Sequence, residues 1–212
     1  MARKYSYVDD EIENNEDETK NIENETKVIF ECYIEDSLEK DKSSNVIDPG
    51  TPGIKIEKLL KVDNKKCWHI GKELIKLSEK LNIENEPVIQ KVLNMVNVSS
   101  GMKGAFKDFS EVAERVLNNR VNLESIVYLF RFGYLIARDR LVQGAQDFLA
   151  QLCQWIIDVF RQFSVFRWIL GQGGWDALMQ LNTSNMRPIV IVASAAAIIA
   201  IIGIVWFKLK KT

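Results

Sequence analysis

The stretch IVYLFRFGYLIA, residues 126–137, has a single charged side chain, Arg131, among its twelve residues. A helix that is apolar nearly all the way round is either the middle of a bundle or a segment that can enter lipid. In residues 145–170, apolar side chains recur at intervals of three and four, and polar ones occupy the opposite face. We therefore expect helices at 122–140 and 145–170 to form a buried central hairpin, with its turn between residues 138 and 144.

Amphipathic patterns precede this hairpin in the sequence. Apolar residues recur with the period of a helix in four stretches, namely 22–41, 54–81, 88–96 and 103–117. Asp-Pro-Gly and Pro-Gly mark a loop at 40–53, and the acidic residues 1–20 are typical of a disordered arm. Because no strand pattern is evident, we predict an all-α fold, a bundle of about eight helices in a domain spanning 21–182.

Residues 189–207, IVIVASAAAIIAIIGIVWF, form a run of 19 residues without a charge. As a helix this run is about 28 Å long, close to the roughly 30 Å hydrocarbon thickness of a bilayer. It begins at Ile189, places Trp206 where an interfacial aromatic belongs, and is followed by Lys208. We expect a transmembrane tail anchor at 188–208 that leaves the preceding domain in the cytosol. The alternatives are a very apolar core helix and a helix stowed in a groove of its own domain.

Charge is distributed unevenly between the two halves of the chain. Residues 1–100 hold 15 basic and 21 acidic side chains, a net charge of −6, whereas residues 101–212 hold 13 and 8, a net charge of +5. The basic half is also the more apolar half, and it has no dense basic stripe with interleaved aromatic residues. This pattern favours contact with an anionic membrane over contact with nucleic acid.

No residue pattern typical of a catalytic or metal site occurs in the sequence. His69 is the single histidine, and Cys32, Cys67 and Cys153 follow neither metal nor disulfide spacing. We expect three buried, reduced thiols, no cofactor and no enzymatic activity. Function is therefore expected to lie in binding and at membranes.

The stretch WILGQGGWDAL, residues 168–178, interrupts a helical pattern with three glycines and restarts it with a tryptophan. Glycine adopts the left-handed conformation that ends helices without the penalty that a Cβ atom imposes. Gly173 and Gly174 therefore predict a sharp turn before a short helix, and Trp175 is expected to pack against the central helices and hold that turn. An ordinary helix end with a core aromatic residue shows the same local pattern.

Taken together, these features resemble the Bcl family of apoptosis regulators, most closely its Bax/Bak branch, over roughly residues 22–212. The stretch around the glycines is similar to the second homology motif of the family, through Trp168, Gly173, Gly174 and Trp175. Residues 121–135, VNLESIVYLFRFGYL, are similar to the first homology motif. The resemblance implies a ligand groove there, with the candidate residues Asn122, Glu124, Ser125, Tyr128, Phe132 and Gly133.

Residues 67–74, CWHIGKEL, are similar to the third homology motif, the death helix, which we place at 60–77. The candidate residues of this motif are Leu60, Cys67, Ile70, Gly71, Lys72 and Leu74. A plain amphipathic core helix would show the same apolar stripe. The assignment as a death helix therefore depends on the other motifs in the sequence.

Two charged positions depart from the family pattern. Where the family has Asn-Trp-Gly-Arg, this chain has Asn-Leu-Glu-Ser at 122–125, so the glycine that admits a ligand helix and the arginine that pairs with its aspartate are both replaced. The aspartate that follows the glycine of the death helix is Lys72 here. We hypothesise a reversed pair between Lys72 of one copy and Glu124 of another, which would repel aspartate-bearing helices.

The resemblance implies a regulator of apoptosis, and we favour a pro-apoptotic effector. In this interpretation the death helix of one copy enters the groove of another, and the hairpin permeabilises the mitochondrial outer membrane, with Phe148, Trp155, Phe163 and Phe166 among the acyl chains. The implied partners are other Bcl family members, further copies of the chain and a lipid membrane. The alternatives are a pro-survival protein that sequesters death helices, a tail-anchored adaptor without an apoptotic role, an endoplasmic reticulum location and a cytosolic resting form.

We predict that Lys72→Glu and Glu124→Lys each weaken self-association, because each places two like charges opposite one another in the reversed pair. One such pair contributes about 0–1 kcal/mol, which corresponds to a change of up to about fivefold in the dissociation constant. The double variant should recover the original affinity in a sedimentation experiment. Unchanged self-association in both single variants would contradict the pairing.

Overall fold

The computed structural model describes residues 3–48, 64–81, 102–142 and 147–184. Its helices are α1 Arg3–Ser43, α2 Asn64–Lys80, α3 Met102–Asn119, α4 Leu123–Val142, α5 Asp147–Gln162, α6 Val165–Gly171 and α7 Gly174–Ser184. These described ranges contain helices and short connections and no strand, which confirms the predicted all-α class.

Three predicted features fall outside the described residues. They are the short helix at 88–96, Leu60 of the death helix, and the tail anchor with Ile189, Trp206 and Lys208. Among the helices that the structure does describe, none combines the length and the apolar character needed to cross a membrane. The tail anchor therefore stays a prediction.

Helix α4 is surrounded by aromatic side chains from three other helices. The ring centroid of Phe130 lies 4.8 Å from that of Phe30 and 5.6 Å from that of Tyr33, both on α1. On its other sides it lies 6.1 Å from Phe160 of α5 and 6.4 Å from Trp175 of α7. Helix α4 also packs along α5, as the predicted hairpin requires. The nearly uniform apolar character of residues 126–137 therefore reflects a position in the middle of the bundle.

Helix α1 covers one side of this centre with a broad apolar face. Its fully buried residues are Ile29, Phe30, Tyr33 and Ile34. The helix begins at Arg3, earlier than the expected residue 22, so the acidic stretch that was expected to be disordered is helical in this structure. Residues 3–43 contain neither proline nor glycine and are rich in glutamate and lysine, which favour helix without any packing. The predicted domain boundaries at 21 and 182 stay predictions.

Helices α1 and α2 pack side by side and run in the same direction. Glu25 pairs with Lys66 near the start of α2, and Lys40 pairs with Glu79 near its end. Between these pairs the two backbones approach closely, because a Cβ atom placed on Gly71 would lie 3.3 Å from the backbone nitrogen of Tyr33. A glycine at this position allows the apolar face of α2 to reach the core without pushing α1 away.

The single helix expected at 145–170 is wrong, because the chain breaks at Ser164. Helix α5 ends at Gln162, Ser164 has a positive φ of 55°, and α6 begins at Val165. The break turns α6 back onto α1, where it buries Val165, Phe166 and Ile169. The spacing of apolar residues by threes and fours continues across this break. Periodicity alone therefore does not predict that one residue, Ser164, adopts a left-handed conformation and changes the direction of the chain.

A buried polar cluster joins the C-terminal part of α1 to α4. The hydroxyl of Tyr134 donates to Oδ2 of Asp41 at 2.5 Å, and a guanidinium nitrogen of Arg138 lies 3.5 Å from the same oxygen. Arg131, the one charge in residues 126–137, is buried beside them with its Cζ 4.9 Å from the centroid of the Tyr134 ring. Burial and the hydrogen bond to Asp41 raise the pKa of Tyr134 far above its usual value, so its hydroxyl stays a donor.

Tyr33 is a second buried tyrosine, and it differs from Tyr134 in its hydrogen bonding. Its hydroxyl is buried without a hydrogen-bond partner among the described residues. Burial raises the pKa of Tyr33 to about 12, although the charge of Arg131 acts in the opposite direction. The polar side chains of Ser78 and Arg131 also lie close enough to act against burial, but neither makes a hydrogen bond of normal geometry with the hydroxyl. The hydroxyl is therefore neutral at physiological pH, and its ring contributes through packing rather than through a polar contact.

We predict opposite effects when each tyrosine is replaced by phenylalanine. Tyr134→Phe removes a bond to a buried carboxylate and should lower the free energy of unfolding by about 1.5–3 kcal/mol. Tyr33→Phe removes an unpaired buried hydroxyl and should leave that free energy unchanged or raise it by up to about 1 kcal/mol. Urea unfolding followed by circular dichroism measures both. Equal losses in the two variants would contradict this account of the cluster.

Candidate functional site

The predicted death helix lies in α2 and turns its apolar residues inward. Cys67 and Leu74 are completely buried and Ile70 is nearly so, while Gly71 sits between them against α1. These four predicted residues therefore share one covered face in this structure. A partner that binds this face requires α2 to leave α1 first.

The outer face of α2 carries Lys72, the residue that departs from the family pattern. Its Nζ lies 3.4 Å from the centroid of the Trp68 ring, and Trp68 is 43% exposed. The indole nitrogen of Trp68 donates to Oδ1 of Asp36 on α1 at 3.2 Å. Burial raises the pKa of Asp36, against the lowering effects of the Lys72 charge and the Trp68 hydrogen bond. Lys72 is thus engaged within its own chain in this state.

Asn122 and Ser125, two predicted groove residues, form the N-terminal cap of α4. The side-chain oxygen of Asn122 accepts from the backbone nitrogen of Ser125 at 2.7 Å. In return, Oγ of Ser125 accepts from the backbone nitrogen of Asn122 at 3.0 Å. This reciprocal arrangement satisfies two donors at the start of the helix. Glu124 lies half-buried in the same first turn, where the helix dipole favours a negative charge.

The other predicted groove residues of α4 point in different directions. Phe132 is buried and stacks on Phe109 of α3, with ring centroids 5.9 Å apart. Gly133 faces α1, where a Cβ atom placed on it would lie 3.1 Å from the Phe30 ring. Tyr128 is half-buried. Phe132 and Gly133 are therefore core residues in this state, and they contact different helices. The groove stays a prediction.

An aromatic patch reaches the surface beside Phe132. Phe106 of α3 is 37% exposed, and its ring centroid lies 5.3 Å from that of Trp155 on α5. Phe148 packs edge-on against the same tryptophan at 5.6 Å. Phe106 is thus the exposed edge of an aromatic cluster whose other members, Trp155 and Phe148, are buried. The sequence pattern did not single out Phe106 for this role.

The glycine turn has the geometry that its sequence predicted. Gly173 and Gly174 have φ values of 90° and 83°, and α7 begins at once with Gly174. Trp175 is completely buried, packs against α4 and donates from its indole nitrogen to Oγ1 of Thr26 at 2.9 Å. Trp168 of the same motif is half-buried at the edge of the core. The expectation that Trp175 holds the turn against the central helices is confirmed.

Sequence reasoning gave no role to four polar residues in or next to these motifs, Thr26, Glu25, Lys66 and Asp176. Thr26 is buried and accepts the Trp175 hydrogen bond, while Lys66 of α2 lies 2.9 Å from Glu25 and 3.0 Å from Asp176. Thr26 could have been singled out, because it interrupts the apolar face of α1 one helical turn after Ile22. The partners of Lys66 could not, since they lie on two helices distant in sequence.

Within the part of the chain that the structure describes, no group of three or more histidine, cysteine, aspartate or glutamate side chains is arranged to hold a metal ion. The three cysteines are buried and form no disulfide, as predicted. The arrangement therefore offers apolar faces, aromatic surface and ion pairs, which are the means of binding other helices.

Comparison with known protein families gives a match to the central part of the chain. A family model described as apoptosis regulator proteins of the Bcl-2 family matches residues 74–175. The matched region begins at the end of the proposed death-helix motif and includes the first homology motif. It ends at Trp175, within the second homology motif.

The chain is similar to curated apoptosis regulators over part of its length. It is 24% identical to the human Bcl-2 homologous antagonist/killer over 123 residues, 58% of this chain and 57% of that protein. It is 27% identical to the chicken apoptosis regulator Bcl-2 over 81 residues, 38% of this chain and 34% of that protein. The chain thus spans less than two thirds of the length of either relative.

Two solved structures share the fold of the chain. Chicken BOK superposes with a TM-score of 0.61 at 17% identity, covering 77% of this chain and 98% of that one. The Trichoplax adhaerens protein trBcl-2L2 bound to trBak BH3 superposes with a TM-score of 0.52 at 17% identity, covering 74% of this chain and 95% of that one. At this level of identity the likeness shows the fold alone.

We predict that the two ends of the glycine turn respond differently to a methyl group. Gly173→Ala puts a Cβ atom at positive φ and 2.9 Å from the Cβ atom of Ala177, so the free energy of unfolding should fall by about 1–3 kcal/mol. Gly171→Ala is the matched control, because it meets nothing within 4 Å and should be neutral or stabilise the helix by up to about 1 kcal/mol. Thermal unfolding compares the two, and a similar loss in both would exclude the turn as the cause.

Proposed function

Because residues 74–175 match the model of the Bcl-2 family of apoptosis regulators, we propose that the chain is a pro-apoptotic effector of this family that self-associates and permeabilises the mitochondrial outer membrane. The observation that carries this proposal is the covered apolar face of α2, which lies beside an equally covered hairpin. A chain that stores two such surfaces in its interior can present them to other helices and to lipid after a rearrangement.

The first step of the proposed mechanism is the release of the death helix. Cys67, Ile70 and Leu74 become available to a partner when α2 leaves α1. Ion pairs at the surface and the packing around Gly71 oppose this release, and neither involves a covalent constraint. An activating helix that binds the protein better in its open state shifts the equilibrium towards release.

The second step is the docking of the released helix in a groove. We place this groove in residues 88–140, next to the surface where Phe106 and Trp155 meet. The related trBcl-2L2 is described in complex with the BH3 segment of trBak, which supports death helices of other family members, or of a second copy, as the partners. Glu124, in the first turn of α4, is the proposed acceptor for Lys72 of that second copy.

The third step is contact of the hairpin with lipid. Helix α5 has one face of buried apolar residues, Phe148, Leu152, Trp155, Ile156 and Val159, and an opposite exposed face with Gln154, Asp158 and Arg161. A helix of this kind lies in a membrane interface with its apolar face among the acyl chains. Phe163 and Phe166 lie beyond the end of α5, so they join this surface when the break at Ser164 straightens. The tail anchor at 188–208 would hold the domain at the membrane.

A pro-survival role is the second candidate. The observation in its favour is the close packing of α2 against α1 around Gly71, which resists exposure of the death helix. A protein that keeps its own death helix covered while it binds those of others sequesters them. Glu124 and Ser125, which stand where the family has glycine and arginine, weigh against strong binding of aspartate-bearing helices.

Dye release from liposomes separates the two roles. The full-length chain is placed on dye-filled vesicles of anionic and neutral lipid, and a peptide with the sequence of residues 60–77 is added. We expect release that depends on the peptide and is absent with a control peptide in which Leu74 is replaced by glutamate. Binding of the peptide without release, together with suppression of release by a known effector, would identify a pro-survival protein. If neither binding nor release occurs, both roles are excluded.

A further inference from the structure

One lysine at the start of α2 joins three helices. The Nζ atom of Lys66 lies 2.9 Å from Oε1 of Glu25 on α1 and 3.0 Å from Oδ2 of Asp176 on α7. We call this arrangement the Lys66 bridge. It connects the first turn of α7, which follows the glycine turn, to the start of α2. Lys66 directly precedes Cys67, which is the first residue of the death-helix motif that the structure describes.

A second contact fastens the same turn of α7 to the same turn of α1. Trp175, next to Asp176, donates to Oγ1 of Thr26, and that hydroxyl in turn donates to the backbone oxygen of Ile22 at 2.6 Å. Thr26 is the neighbour of Glu25 in sequence. Burial of Trp175 therefore fixes where Asp176 sits, and Asp176 and Glu25 together form the acceptor for Lys66.

Two other polar contacts that join α2 to a neighbour have a different arrangement. Trp68 donates to Asp36, and Glu79 pairs with Lys40, so both of these contacts end on α1. The Lys66 bridge extends to α7, and α7 is positioned by the fully buried Trp175. A change in the position of α7 therefore acts on the first turn of α2 before it acts on the rest of that helix.

We propose that α7 is an autoinhibitory clamp, in which the Lys66 bridge holds the first turns of the death helix in their resting position. Loss of the Asp176 contact lets these turns open locally, while the hairpin of α4 and α5 stays folded. This inference gains its biological meaning from the proposed function, because opening is the step that exposes the death helix. Its physical content is independent of membranes and partners.

The strength of the clamp follows from its exposure to solvent. The side chains of Lys66 and Glu25 are 30% and 22% exposed, and that of Asp176 is 55% exposed, so each pair changes a local equilibrium by a factor of about two to five. Burial acts to lower the pKa of Lys66, but its hydrogen bonds to Glu25 and Asp176 and their charges outweigh burial and raise it. The bridge is therefore charged at neutral pH and weak enough to be opened by a binding partner.

The native cysteines report local opening without any inserted residue. Cys67 lies on α2 and Cys32 lies on α1 beside Gly71, so both become reactive when these helices separate. Cys153 is buried in α5, near Glu31 and Lys27 of α1, and burial raises its pKa. It therefore reacts when α5 separates from α1 or the hairpin unfolds, and it stays protected when α2 alone opens. Peptide mapping after a timed reaction of the full-length chain with a maleimide gives a separate rate for each thiol.

Asp176→Asn and Lys66→Met are the test variants, and Lys76→Met is the matched control. Lys76 lies on the same helix and pairs with Glu73 one turn away, so its removal costs α2 a charge but breaks no contact to another helix. We expect Cys67 to react about two- to fivefold faster in Asp176→Asn and about five- to twentyfold faster in Lys66→Met. The rate of Cys153 should not change, and Lys76→Met should match the unaltered protein. Because the two substitutions break the same contact, the double variant should react no faster than Lys66→Met alone.

Two results would overturn the clamp. Unchanged Cys67 rates in both test variants would show that the bridge does not hold α2, and parallel acceleration of Cys67 and Cys153 would show general destabilisation. Failure of the proposed function has a different signature, because these rates are measured without lipid. Faster reaction of Cys67 combined with a full lack of dye release in the same variants would retain the clamp and contradict the effector role.

Discussion

The burial of α4 on all sides is the constraint on which the rest of this structure depends. Water would contact a nearly continuous apolar surface if any neighbour of this helix were absent, and each buried aromatic ring contributes on the order of 2–3 kcal/mol. Phe130 makes this visible, because its ring meets aromatic rings of α1, α5 and α7 at once. The polar residues of the core follow from the same constraint, since Tyr134 is buried where its hydroxyl reaches Asp41, and Arg131 is buried against the Tyr134 ring.

The glycine turn contributes to the burial of α4 by bringing Trp175 against this helix. Without two residues at positive φ, the chain could not reverse quickly enough to bring Trp175 under α4. Once Trp175 is buried, its indole nitrogen needs a partner, and Thr26 supplies it from the opposite end of the sequence. The second homology motif and the first helix are thus parts of one physical unit, although 149 positions separate the two bonded residues.

The state of the death helix gives this packing its functional meaning. If α2 is the death helix, as proposed, the residues that a groove would recognise are the ones that hold α2 against α1, so the protein cannot satisfy both sets of contacts at once. Competition between internal packing and partner binding is the basis of a switch with two states. Polar contacts at the edge of α2 are weak individually, and this makes the balance adjustable by a single partner or substitution.

The sequence by itself determined the helical class, the central hairpin, the glycine turn and the buried face of α2, because each follows from local periodicity or from the freedom of glycine at positive φ. It did not determine the break at Ser164, where one residue reverses while the apolar spacing continues. Nor did it predict that the adjacent residues Phe132 and Gly133 contact different helices, α3 and α1. The Lys66 bridge was also decided by tertiary structure alone, because charges that are far apart in sequence acquire partners only after hydrophobic burial has brought their helices together.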